Sequence, residues 1–157
     1  IDNSNYKDIR FYINTDITYA YDASAKKVKG TYGTATAKAH ADTTWTSQDK
    51  TDNLIPEGKD VGDLKAEGLK TILIREVKEQ AEVELNKTDW YVTRKAEKAT
   101  AIPSSITTHR DAVRTKQASM CTAITNAADT AALKTLYTYT TTDGVTSRPL
   151  GAIPTLD

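Results

Sequence analysis

Apolar residues recur at every fourth position through Leu69, Leu73, Val77, Ala81 and Leu85, and Ile72 widens the stripe. That period belongs to an amphipathic helix. Lys70, Arg75, Lys78, Glu79 and Glu82 fall mostly on the opposite side, while Ile74 and Val83 offer a second apolar face. The pattern breaks at Asn86-Lys87-Thr88, where Thr88 is a candidate N-cap with Asp89 in the first turn. Trp90, Tyr91 and Val92 open a short helix that fades near Lys98. Pro103 then stops the preceding run, because the residue before proline disfavours helix. Ser104 or Ser105 can cap a further helix, predicted over about Ser105 to Asn126, with Ile106, Val113, Met120 and Ala127 seven apart. Such spacing suits a helix docked lengthwise on another, and the helix of residues 64–86 is the expected partner.

The flanks carry a different period. Ile9, Phe11, Ile13, Ile17, Tyr19 and Tyr21 all stand at odd positions, as a strand requires, with Asn14-Thr15-Asp16 a turn that divides it. Lys27-Val28-Lys29 is a candidate short strand. From Thr31 to Asp60 the chain is mostly small and polar, with Trp45 as its large anchor, and reads as a loop or wrapping arm. Beyond the helices, Asp129-Thr130 can cap a short helix from Ala131 to about Leu136. Tyr137 to Thr141 and Val145 to Leu150 flank Asp143-Gly144, a hairpin turn signal. The resulting class is α+β: a central antiparallel helical hairpin (about 64–98 and 104–127) with a β-rich N-terminal arm and a C-terminal β-hairpin. Three segments are expected, a Thr-rich arm at 1–60, the helical hairpin at 61–128, and a short helix, β-hairpin and terminal arm at 129–157.

Composition adds a constraint on partners. The 21 basic and 21 acidic residues cancel. A nucleic-acid binder concentrates Lys and Arg against phosphate, so no nucleic-acid partner is expected. Hydrophobic residues make up 38% of the chain, below the roughly 45–50% of average domains, which leaves arms to pack on something else. No apolar run approaches the length of a membrane span, so no membrane partner is expected either. An opening Ile1 without methionine is expected where an N-terminal piece has been removed or a longer chain continues upstream.

Candidate chemistry fails on number or spacing. The two histidines, His40 and His109, lack a carboxylate or second histidine at ligand spacing. Cys121 is the one cysteine, and twelve residues of helix separate it from His109, about 18 Å along the axis. The seven glycines form no phosphate-binding loop, and the glutamates at 76, 79, 82 and 84 read as a solvated helix face. No catalytic, cofactor or metal site is therefore expected, and no enzyme. The residues that stand out are structural or interacting ones: Trp45, Trp90, Tyr91, Arg94, Pro103, Arg110 and Arg114. Trp90 at a helix junction can bury a large area and fix the crossing geometry, and Arg94 can pair with Glu97 across a turn.

The ordered set Thr88-Asp89-Trp90-Tyr91-Val92, Arg94-Lys95, Glu97, Ile102-Pro103 and Arg110-Asp111-Ala112-Val113-Arg114 resembles a segment of tailed-bacteriophage virion and tail-fibre-assembly proteins. Trp45-Thr46-Ser47-Gln48-Asp49 and Glu67-Gly68-Leu69-Lys70 extend the likeness to versions of the marine and cyanophage type, over about residues 45–125. One departure is the turn after the Glu, where the pattern offers a glycine and this chain has Lys98-Ala99-Thr100. The resemblance implies a virion structural protein of the tail, baseplate or fibre-attachment region, present in multiple copies and contacting other phage structural proteins. It implies location in the virion, and in the host cytoplasm during assembly. It equally leaves open a transient tail-fibre assembly chaperone, and more remotely a tail-associated enzyme.

Overall fold

Thirteen short elements follow one another in the computed structural model, which describes residues 1–156. In chain order they are β1 (Tyr12–Ile13), β2 (Ile17–Asp22), β3 (Lys27–Tyr32), β4 (Thr36–Ala37), β5 (Thr43–Thr44), α1 (Ser47–Thr51) and β6 (Leu64–Ala66). After these come α2 (Leu69–Asn86), α3 (Asp89–Lys98), α4 (Ser104–Asn126), α5 (Thr130–Tyr137), β7 (Thr140–Thr142) and β8 (Val145–Ser147). The fold is α+β, with all strands in two-stranded antiparallel pairs: β1 with β4, β2 with β3, β5 with β6 and β7 with β8.

Contacts divide the chain into two compact units, residues 1–69 with 129–134, and residues 70–128 with 135–157. In the first, the buried apolar side chains are Phe11, Tyr12, Ala35, Leu69 and Leu133. The Thr130 hydroxyl donates to the Lys38 carbonyl at 2.7 Å, tying the start of α5 to the loop after β4. Gly68 marks a backbone crossing. Its N–H donates to Asp42 Oδ1 at 2.7 Å, and a Cβ there would fall on the Ala41 carbonyl group. Only glycine leaves that space. The stretch from 31 to 60, expected as loop, instead contains β4, β5 and α1.

Alternation in the N-terminal strands located them but not their buried face. Phe11 is enclosed, whereas Ile9, Ile13, Tyr19 and Tyr21 on the same odd positions are exposed. A two-stranded ribbon has no second layer of its own unit over that face, so period two fixes the pleat without fixing burial. The interruption at Asn14-Thr15-Asp16 does separate β1 from β2.

In the second unit α2 and α4 run antiparallel. Lys70 at the start of α2 donates to the Thr125 carbonyl at the end of α4, at 2.9 Å. Arg110 near the start of α4 donates to the Leu85 carbonyl at the end of α2, at 2.8 Å. Leu73, Val77 and Ala81 from α2 and Ile106, Val113, Met120 and Ile124 from α4 are buried, as the two periodicities require. The hairpin starts later than expected. Residues 64–66 leave the helix because they pair with Thr43–Thr44 as β6, a non-local pairing that helical periodicity does not register. At the start of α4 the N-cap is Pro103 and no side chain caps, so the serine caps expected at 104 or 105 are absent. The α5 cap is as expected, since the Asp129 carboxylate accepts from the Ala132 N–H at 2.8 Å. Asp143 and Gly144 both take positive φ, 52° and 77°, the backbone of a tight β7–β8 turn.

Candidate interaction site

The densest polar arrangement in the second unit lies where α2 gives way to α3. Helix α2 ends at Asn86, leaving its last carbonyls without intrahelical donors. Arg110 supplies one. Its Nη1 donates to the Leu85 carbonyl at 2.8 Å, to Thr88 Oγ1 at 2.7 Å and to Asp89 Oδ1 at 2.8 Å. Thr88 is fully enclosed, and its hydroxyl both accepts from Arg110 and donates to the Leu85 carbonyl at 2.9 Å. Thr88 stands at the N-cap position but makes no side-chain cap, because its hydroxyl is committed to this cluster. Asp89 neutralises the guanidinium from the solvent side. A buried arginine whose Nη1 meets a carbonyl, a hydroxyl and a carboxylate has its charge paired where it is least exposed to water.

One turn further, α3 carries the aromatic residues. Trp90 and Tyr91 ring centroids lie 3.7 Å apart, and the Arg94 guanidinium sits 4.7 Å over the Trp90 ring and 5.1 Å from that of Tyr91. Arg94 therefore turns to the rings, a cation–π arrangement, and not to Glu97 as its spacing suggested. Trp90 is 51% exposed and α3 buries no residue fully, which corrects the expectation that Trp90 fixes the helix crossing by burial. The crossing is held by Arg110 and Thr88. Trp90, Tyr91 and Arg94 form a half-exposed platform presented by that fixed base.

The other expected residues separate. Pro103 gives its carbonyl to the Thr107 N–H at 3.1 Å, opening α4. Arg114 pairs with Asp111 on the exposed face of α4 at 3.3 Å. Trp45 belongs to the first unit, where its backbone bonds Asp63 and Gly62 and Lys65 Nζ lies 4.6 Å from its ring. Beside it Thr46 and Asp49 form a reciprocal capping box on α1. Asp49 also accepts from Lys65 at 2.6 Å. Lys65 first, then the Thr46 hydroxyl and backbone N–H, hold the Asp49 carboxyl at about 2, below its ordinary 3.8.

Two groups escaped the sequence reading. Glu84, read as solvated, is buried; one oxygen meets Lys87 at 2.6 Å, and Lys87 keeps its carboxyl below the usual range. Thr88 as the acceptor for Arg110 lies 22 residues away in sequence, beyond any helical period. Among the described residues, no group of His, Cys, Asp and Glu is placed to hold a metal ion, and no helix is long and apolar enough to cross a membrane. No protein-family model, curated protein or solved structure matches the chain.

Proposed function

We propose that this protein is a structural component of a tailed-phage particle, in the tail, baseplate or fibre-attachment region. It acts by protein–protein contact and not by catalysis, in multiple copies, alongside other phage structural proteins. The observation that carries the reading is the division of labour within residues 88–114, the segment that resembles phage tail proteins. Thr88, Asp89 and Arg110 make a closed base, and Trp90, Tyr91 and Arg94 are left as a half-exposed aromatic surface. Aromatic and arginine side chains of that kind are the usual centres of protein interfaces.

A mass-spectrometric inventory of purified, nuclease-treated particles tests the proposal. The protein is expected at a stoichiometry comparable to known tail subunits. Its presence in assembling lysates and absence from finished particles would replace this reading with that of a transient assembly chaperone.

A further inference from the structure

The hairpin of β2 and β3 leaves one backbone edge open. The Asp2 N–H donates to the Gly30 carbonyl at 2.8 Å, so Gly30 turns its backbone polar groups away from β2. In an antiparallel ladder, hydrogen-bonded and non-bonded pairs alternate. Gly30 faces Tyr19 in the register, so Tyr19 likewise turns its N–H and C=O away from β3, as do Ile17 and Tyr21. Among the described residues no segment pairs with that outer edge, whereas the outer edge of β3 is bridged by Asp2. Edge strands are ordinarily protected by proline, lysine, a bulge or a covering segment. The β2 sequence Ile-Thr-Tyr-Ala-Tyr-Asp has none of these, and Tyr19 and Tyr21 are both exposed on one face.

The charges decide what fits there. From Thr15 to Ala23 the only ionised side chains are Asp16 and Asp22; across the hairpin Lys27 stands opposite Asp22, and Lys29 is paired with Asp2 at 3.4 Å. A second copy pairing antiparallel at full overlap would set Tyr19 against Tyr19, and Asp16 against Asp22 at both ends. Like charges directly opposite destabilise a strand pair. We propose that β2 receives an extended segment of a different protein by strand addition. That segment carries alternating apolar side chains over the tyrosine face and basic residues six positions apart, facing Asp16 and Asp22. The inference rests on the interaction role proposed above only in taking the partner to be a protein.

An NMR titration of the full chain with three blocked synthetic peptides tests it. The first is Lys-Val-Thr-Val-Thr-Val-Lys, the second has Glu at both ends, and the third is the Lys peptide with alternate amides N-methylated. The Lys peptide is expected to bind roughly fivefold more tightly than the Glu peptide, from two exposed ion pairs. The N-methylated peptide is expected not to bind, and the Tyr19 and Tyr21 amides to gain exchange protection in proportion to occupancy with the Lys and Glu peptides but not with the N-methylated one. In the double variant Asp16→Asn with Asp22→Asn, the Lys-over-Glu preference is expected to vanish while N-methylation still blocks binding. Absence of binding by the Lys peptide, equal affinity for Lys and Glu peptides in the unsubstituted chain, or self-association through β2 would overturn the inference. A protein found in particles that fails this titration would sink the strand-addition partner and leave the virion reading standing.

Discussion

Arg110 Nη1 and Thr88 Oγ1 meet at 2.7 Å between residues 22 positions apart, in a setting where both are buried. The contact joins α4 to the α2–α3 junction, and neither side chain has water to fall back on. Replacing Arg110 with Met strips the Leu85 carbonyl and the Thr88 hydroxyl of a charged donor, and is expected to cost about 2–3 kcal/mol. Thr88→Val, which keeps the shape, is expected to cost about 1–2 kcal/mol. Urea denaturation of both single variants and the double variant should show coupling above about 1 kcal/mol. Additive losses would mean that the two residues do not act together. Arg110→Lys is expected to rescue only in part, since the shorter lysine stem does not carry its ammonium as far as the Nη1 that meets all three acceptors.

Ala99 ends α3 in the left-handed region, at φ 56° and ψ 15°, with its N–H bonded to the Lys95 carbonyl at 3.0 Å. That backbone favours glycine. Ala99→Gly is expected to stabilise the chain by about 1 kcal/mol, since the relief of Cβ strain outweighs the added freedom of the unfolded state. Thermal unfolding of the two proteins side by side checks this. A lower melting temperature for the glycine variant would show that the turn is not strained.

Asp49 gives a dependence on acid. Its carboxyl is held at about 2 in the folded chain against an ordinary 3.8. A depressed folded-state value means the stabilisation is complete above the ordinary value and is lost as pH falls from there through about 2. Asp2, also lowered to about 2, acts in the same window, so the slope is shared. Asp49→Asn is therefore expected to lower stability at neutral pH and to flatten the loss between pH 4 and 2 without abolishing it. Identical acid slopes for the two proteins would show that Asp49 does not contribute to the acid dependence.

The two long helices were legible because burial of one stripe imposes a local period, and Leu73, Val77, Val113 and Met120 all obey it. What escaped was non-local. Residues 64–66 join β5 across nineteen intervening residues, and no helical pattern records that pairing. Within the interaction segment, the sequence named Trp90, Tyr91, Arg94 and Arg110 but assigned the burial to the wrong member. A large aromatic side chain suits a core and a docking surface equally. The residues that decide between them are the small Thr88 and the cation 22 positions away. Arg94 similarly had two physically reasonable neighbours, Glu97 on its own helix and the rings, and proximity to both rings prevailed.

In the proposed role the Trp90 platform docks in the particle while Arg110 and Thr88 hold the fold. Trp90→Ala separates these roles, because a side chain 51% exposed is expected to contribute little to stability, under about 1 kcal/mol. The direct measurement is the amount of this variant carried by purified particles assembled in its presence, set against unsubstituted protein expressed to the same level. Incorporation is expected to fall about tenfold or more with the melting temperature nearly unchanged, as removal of an aromatic interface centre implies. Full incorporation of Trp90→Ala would contradict that docking role.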